Sequence, residues 1–283
     1  LKISVIIPTL NASRYIQKQL QRLKKQSLPP DEIIVIDSSS EDNTCALAQK
    51  EGVKPIVIPR EKFSHAGTRN FAASIAKGNI LVFFSQDALP YNEFLLEHLV
   101  KNLVKSDDIA ATYGRHIPYR CAKPTEIAAR LVNYPNMPLI KDISLLPIMG
   151  AKTFFFSNVC SAIKKKVLEE VEGFPEDVSI AEDTVFAAYV IKKGYKIMYV
   201  PEAMVLHSHN FSPWQYCKRY YNIGKSLSRH KWIVENDRLG KEGRRIVKEQ
   251  IKYILKNKKY HWLPYVVVEN LFKYIGFKSG LNL

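Results

Sequence analysis

The sequence predicts an α/β fold: a mostly parallel sheet flanked by helices, followed by a helical tail. Two observations carry this expectation. Apolar runs of strand length at Ile3–Pro8, Glu32–Asp37 and Ile80–Phe84 lack polar alternation through their centres, as strands buried on both faces do. Segments of helical length separate them, and such alternation implies parallel strands joined by right-handed crossovers. With 283 residues, 46% of them hydrophobic, the chain can bury one large domain and a smaller appendage.

The elements follow in order. After the strand Ile3–Pro8, Asn11 or Ser13 is positioned to cap a helix running towards Gln26, and Pro29-Pro30 stops it. Glu32–Asp37 is the second strand, and Ser40–Glu51 reads as a helix ended by Gly52. Pro55–Ile58 is a short third strand, and Thr68–Ala76 a helix ended by Gly78. Ile80–Phe84 is the fourth strand, and Asn92–Lys105 the next helix. The middle is less regular. Pro135–Pro147 reads as a proline-punctuated loop, Lys164–Val171 and Glu182–Lys193 as helices, and Lys196–Val200 and Met204–Leu206 as short strands. Beyond Pro213 the pattern is helical to the end. The expected division is a domain over residues 1–211 and a basic amphipathic tail over 212–283.

The charge is unevenly placed. From Trp214 onward there are 16 Lys/Arg against 5 Asp/Glu, so most of the net +15 lies in the last quarter, with all three tryptophans. A basic, aromatic segment suits an anionic partner, either nucleic acid or a lipid surface, or is simply a solvated face. Val247, Ile251, Ile254 and Leu255 share one helical face and Arg244, Arg245, Lys248 and Lys252 another; Val267, Leu271 and Ile275 form a second stripe. No apolar run of about 18 residues predicts a membrane span. The run Ile3–Leu10 is too short for a secretory signal and contains Pro8. Four cysteines without a CxxC pair argue against zinc-knuckle and thioredoxin chemistry and fit a reducing compartment.

In open α/β sheets the ligand lies at the carboxyl ends of the strands. Thr9, Asn11, Asp37 to Asp42 and Ser85-Gln86-Asp87 are therefore the first candidates for chemistry. Neither GxGxxG nor GxxxxGK[ST] is present, which argues against a Rossmann dehydrogenase or a P-loop NTPase. Asp37 can accept from a base N–H or a ribose hydroxyl, while Asp42 or Ser40 can cap the helix behind it. Asp87 can hold a divalent cation that neutralises a diphosphate, or serve as a turn aspartate. Gly67 precedes a helix start, where free N–H groups with His65 and Arg69 can meet a diphosphate.

Ser4–Asn11 (SVIIPTLN), Ile34–Thr44 (IVIDSSSEDNT), the strand leading to Asp87, and Ala181-Glu182-Asp183 together resemble the family 2 glycosyltransferases of the GT-A fold, over about Ile3 to Phe211. His65–Asn70 (HAGTRN), Ser85–Ala88 (SQDA), Tyr113-Gly114-Arg115, Ser157–Ala162 (SNVCSA) and His207-Ser208-His209 resemble its rhamnosyltransferase-like branch. The resemblance implies a GT-A-type nucleotide-sugar-binding domain and an inverting sugar transfer in polysaccharide biosynthesis. The donor is a nucleoside-diphosphate sugar, with dTDP-rhamnose the first candidate and UDP-sugars next, and the acceptor is a hydroxyl of a surface glycan or lipid-linked oligosaccharide. It assigns Thr9, Asn11, Asp37, His65, Arg69 and Asp87 to the nucleotide sugar. Asp183 becomes the catalytic base, and Asp87 with His207 the ligands of Mg²⁺ or Mn²⁺. The DxD of many relatives is here Ser85-Gln86-Asp87, which leaves one carboxylate. The expected location is cytoplasmic, peripheral at the inner face of the cell membrane, with no nucleic-acid partner. A basic nucleic-acid binder and a catalytically silent sugar-nucleotide binder are the competing readings; no RRM, KH or zinc-finger pattern supports the first, and retention of Asp37, Asp87 and Asp183 opposes the second.

Overall fold

A computed structural model describes residues 1–235 and 239–282. Among the described residues the strands are β1 (Ile3–Thr9), β2 (Glu32–Asp37), β3 (Ile56–Val57), β4 (Ile80–Phe84), β5 (Leu89–Pro90), β6 (Ile109–Ile117), β7 (Leu139–Lys141), β8 (Cys160–Lys164) and β9 (Lys196–Leu206). They form one sheet in the order β3-β2-β1-β4-β8-β6-β9-β5, with β7 also paired to β9. The expected parallel pairing holds from β3 to β4. Beyond β4 the sheet is mixed: β8 runs antiparallel to both neighbours, β6 and β9 are parallel, and β5 and β7 are antiparallel to β9.

Strand alternation divides the core into two layers. Ile6, Leu81 and Phe83 point into one, with the helices His65–Ile75 and Glu182–Lys192. Val5, Ile7, Val82 and Phe84 point into the other, with the helices Ile16–Lys24 and Leu95–Leu103. With both faces covered, β1 through its centre, Val5, Ile6 and Ile7, and β4 throughout are apolar, which is why they were legible.

Several expectations change. Neither Asn11 nor Ser13 caps the first helix, which starts at Ile16 after Tyr15. Asn11 instead sits at φ 51°, with its side chain accepting from the Glu41 N–H. The second helix is shorter, Thr44–Lys50, because Ser40 turns back to Asp37 and Asp42 bonds the Thr44 N–H in an Asx-type turn. The third begins earlier, at His65, capped by Ser64. β6 and β8 were not read as strands, since IAATYGRHI and CSAIK mix small and polar residues into short stretches. The helix Pro124–Asn133 was also missed, and the proline-punctuated loop contains β7. The two short strands expected at 196–206 are one strand with an irregularity: Gly114 pairs Val200 while Arg115 pairs Met204.

The tail packs onto the domain rather than trailing from it. The helix Pro213–Ser228 opens with a capping box from Ser212 and Gln215 and lies against the helix Leu263–Leu281. Gly224, Gly276 and Gly280 let the two backbones approach. A methyl on Gly280 would fall inside the contact distance of the Tyr221 carbonyl, with backbone on both sides. The buried Glu269 accepts from Thr125 Oγ1 at 2.7 Å, and Gln250 donates to the Thr125 carbonyl at 3.1 Å, so buried polar bonds fix the tail to the helix Pro124–Asn133. Gly280→Val is expected to destabilise the protein by about 1–3 kcal/mol, the usual scale of overpacking. A thermal melt checks it, and an unchanged midpoint would mean the helices can part freely.

Candidate active site

At the carboxyl end of β1 and β2, Thr9 and Asp37 are register partners. Thr9 Oγ1 donates to Asp37 at 2.9 Å, and the Ser40 N–H and hydroxyl donate to the same carboxylate at 2.8 and 2.6 Å. Asp37 is fully buried, and these three donors compensate its desolvation. The Asn11 N–H donates to Ser40 at 2.8 Å. Asn11 and Ser39 both hold positive φ without being glycine, a strain that concentrates at functional loops. The Leu10 N–H donates to Gln86 Oε1 at 2.7 Å, tying this cluster to the end of β4. The three strand ends therefore share one edge of the sheet. Asp87 also lines a half-open cleft of about 510 Å³ that Thr9 and Asp37 do not line.

Asp87 faces two imidazoles in that cleft. Its oxygens lie 3.5 Å from His207 Nε2 and 3.7 Å from His209 Nε2, and one ligand atom from each of the three residues falls within 4.8 Å of the others. His207 and His209 are two apart just beyond β9, so an extended backbone presents both on one side. That spacing was a usable signal for His209, which the reading of the sequence did not assign. Burial lowers the pKa of His207, and burial with the neighbouring His207 lowers His209 to about 4, so both are neutral at pH 7. Burial raises Asp87, but the two neighbouring imidazoles, His207 foremost and then His209, together outweigh it, and the carboxyl is held below its ordinary value. An ionised carboxylate and two neutral imidazoles are the protonation states a metal ion requires of its ligands. His207 Nδ1 is buried with no hydrogen-bond partner, and the ring packs in edge contact with His116.

The other wall carries Asp183. Ala181, at φ 69°, turns the chain into the helix Glu182–Lys192 and puts both acids in its first turn. Asp183 is half-buried; it accepts from the Thr184 N–H at 2.8 Å and the Asn158 N–H at 3.3 Å. Burial first, then the Glu182 charge, push its carboxyl up to about 7, against the Arg69 guanidinium and these two N–H groups. Glu182 points the other way, into a buried ion pair with Arg69 at 2.7 Å, both side chains under a tenth exposed. Arg69 also donates to the His65 carbonyl at 2.9 Å.

The expected phosphate cradle at this helix start is modified accordingly. The Gly67 N–H is taken by Ser64 Oγ at 2.9 Å, and the Arg69 guanidinium is engaged by Glu182. His65 and Arg69 do line the cleft, together with Asp87 and Asp183. The tail completes it: Tyr216, Arg219, Tyr220 and Lys273 form part of the wall. Tyr216 donates to Glu126 at 3.2 Å, and Lys273 stands 4.1 Å from the Tyr216 ring centroid. These tail residues were unreadable as site residues, because their positions depend on packing between helices far apart in sequence.

A sheet edge carrying Thr9 and Asp37, the Asp87–His207–His209 cluster and Asp183 across the cleft stand on an α/β sheet of the GT-A type. Residues 4–172 match the family described as glycosyl transferase family 2. The chain is 37% identical to the O-antigen chain rhamnosyltransferase RfbN of Salmonella typhimurium (strain LT2), over 99% of this chain and 90% of that protein. It is 38% identical to the O-antigen chain rhamnosyltransferase WbaN of Salmonella anatum, over 98% and 88%. Among solved structures it is similar to the mannosyltransferase PcManGT from Pyrobaculum calidifontis, solved in complex with GDP-Man and Mn²⁺; the TM-score is 0.59 at 19% identity, covering 99% of this chain and 73% of that one. The chain belongs to glycosyl transferase family 2 and is a glycosyltransferase.

Proposed function

We propose that the protein transfers rhamnose from a nucleoside-diphosphate donor, dTDP-rhamnose first, to a hydroxyl of a growing surface glycan, with inversion at the anomeric carbon. The single observation that carries this mechanism is Asp183, a carboxylate with a raised pKa held across one cleft from Asp87. The two near-full-length O-antigen chain rhamnosyltransferases support the choice of sugar and acceptor. In this reading Asp37, with Thr9 and Asn11, takes the nucleoside, and Asp87 takes the diphosphate end. His65 and Arg69 line the same cleft as Asp87, and Arg69 holds Glu182 in an ion pair beside Asp183. The acceptor O–H gives its proton to Asp183 as its oxygen bonds the anomeric carbon. The bond from that carbon to the phosphate oxygen breaks, and the nucleoside diphosphate leaves with the electron pair on the opposite face. Asp183 ends protonated and must lose that proton before the next turnover. Residues 1–211 form the catalytic unit in this account, and the tail over 212–283 closes the cleft.

A divalent cation fits the wall that carries Asp87, His207 and His209. Ligand atoms at about 2.1 Å from one ion, at octahedral or tetrahedral angles, stand roughly 3.0–3.4 Å apart, close to the separations between Asp87 and the two imidazoles. Asp87, His207 and His209 would hold Mg²⁺ or Mn²⁺, which supplies positive charge to the leaving diphosphate. Excess EDTA is expected to abolish transfer, with recovery on adding either ion. His209→Ala should raise the metal concentration for half-activity at least about tenfold, the scale on which even outer-shell partners act. Undiminished turnover in EDTA would transfer leaving-group stabilisation to cationic side chains.

The donor is tested by thermal shift and transfer assays against a nucleotide-sugar panel. dTDP-rhamnose should raise the melting temperature with concentration, since a ligand that binds only the folded state stabilises it by mass action. Transfer from a GDP-sugar alone would contradict the donor assignment.

The tail also supports a peripheral membrane site, facing the cytoplasm. No helix among the described residues is long and apolar enough to cross a membrane. Val267, Leu271, Tyr274 and Ile275 form an exposed apolar stripe on the last helix, and Trp214 is exposed nearby in sequence to Lys218 and Arg219. Binding to anionic liposomes should weaken as salt screens the lysines and arginines. Equal binding to neutral liposomes would remove the electrostatic part of this reading.

A further inference from the structure

The two histidines facing Asp87 lie on residues 207–211, which leave β9 with no regular structure of their own. Hydrogen bonds from two directions hold this segment. The Tyr119 N–H donates to Ser208 Oγ at 3.1 Å, and the Lys123 N–H to Asn210 Oδ1 at 2.9 Å. From the tail, the Tyr265 hydroxyl donates to the Phe211 carbonyl at 3.1 Å.

One buried carboxylate joins the two directions. Glu126, in the helix Pro124–Asn133, is 6% exposed. Its Oε1 accepts from Arg130 Nε at 2.7 Å and from the His209 N–H at 3.4 Å. Its Oε2 accepts from the Tyr216 hydroxyl of the tail at 3.2 Å. Arg130 extends this hold towards the second histidine. A guanidinium can only donate, so Arg130 Nη1 donates to His116 Nδ1, at 2.7 Å. That bond, with the stacking of His116 on Tyr134 at 4.0 Å between ring centroids, fixes the His116 ring. Its edge contact with His207 has a centroid separation of 5.2 Å. Both imidazoles therefore have one residue in common behind them. Groups that orient a ligand set the affinity of a metal site, because a ligand ordered in advance loses less freedom on binding.

We propose that Glu126 is a positioning residue of the metal site. It sets His209 through the backbone N–H and His207 through Arg130 and His116, and its bond from Tyr216 makes docking of the tail part of that placement. The proposal rests on reading Asp87, His207 and His209 as the metal site and deepens it by naming what orders the two imidazoles. It also gives a chemical role to a buried ion pair, Glu126–Arg130, that the transfer step does not use.

Manganese binding tests it without turnover. Mn²⁺ alone is added to the full chain, the free ion is read by electron paramagnetic resonance, and the thermal melt of each variant is recorded beside it. Glu126→Gln keeps the shape but leaves one accepting oxygen for three donors. It should weaken Mn²⁺ binding about tenfold to a hundredfold, the range for partners that orient a metal ligand. Tyr216→Phe removes one hydroxyl and keeps the Glu126–Arg130 pair, so it decides the matter should Glu126→Gln fail to fold. It should weaken Mn²⁺ binding about twofold to fivefold, the scale of one hydrogen bond, with a melting midpoint close to that of the wild type. Added to Glu126→Gln, it should have no further effect on Mn²⁺, because it acts through that carboxylate. Unchanged Mn²⁺ affinity in the folded variants, with or without a lower melting midpoint, would leave Glu126 a structural role only and overturn the proposal. A full effect of Tyr216→Phe on top of Glu126→Gln would overturn the link from the tail through Glu126. Asp87→Ala binding Mn²⁺ as the wild type does would instead overturn the metal site itself, and the proposal with it.

Discussion

Asp183→Asn is expected to lower kcat by about 10²–10⁴-fold, the usual contribution of a positioned general base. Asparagine keeps the shape and can still accept from the Thr184 and Asn158 N–H groups, but it cannot take the acceptor's proton. Donor affinity should hardly change, because the residue faces the acceptor side of the cleft. Asp87→Ala should weaken donor binding as well, and the contrast between the two variants separates the roles. The wild type should lose kcat/KM as pH falls through about 7, where Asp183 protonates. Stability gives a control of opposite sign. Burial raises this carboxyl above its unfolded value, so between the two pKa values the folded state binds the extra proton, and stability falls as pH rises through that window. Asp183→Asn removes that penalty and should melt no lower than the wild type at pH 8. Near-normal turnover in a native-like Asp183→Asn would make the residue a helix-start acid and shift attention to Glu182.

Arg69→Met is expected to cost about 3–5 kcal/mol of stability, because it leaves the Glu182 carboxylate buried and uncompensated. Arg69→Met with Glu182→Gln should recover most of the loss, since the two side chains act as one unit. The single variant should also move the kcat/KM profile of Asp183 to higher pH, because Arg69 is the cation that opposes its raised pKa. A variant with an unchanged melting temperature and a raised donor KM would return Arg69 to the diphosphate role that the sequence around Gly67 suggests.

That revision shows what the sequence can and cannot carry. β1, β2 and β4 were legible because both faces are covered, so their centres had to be apolar. Thr9, Asp37 and Asp87 followed, because the ends of such strands form the ligand edge. β6 and β8 were hidden because their partners lie far away in sequence and their close packing uses small residues such as Ala162 and Gly114. The Arg69–Glu182 pair spans more than a hundred residues and has no local signature. His209 lay within reach: two histidines two residues apart beyond a strand share a side. The contribution of Tyr216 and Lys273 was not, since it depends on how the tail docks on Thr125 through Glu269.

The most direct test of single displacement is the anomeric configuration of the new linkage, read by NMR on product made with the purified protein and dTDP-rhamnose. Inversion relative to the donor is the result that deprotonation by Asp183 and one backside attack require. Retention would demand two displacements, and would contradict the assignment of Asp183 as the base of a single step.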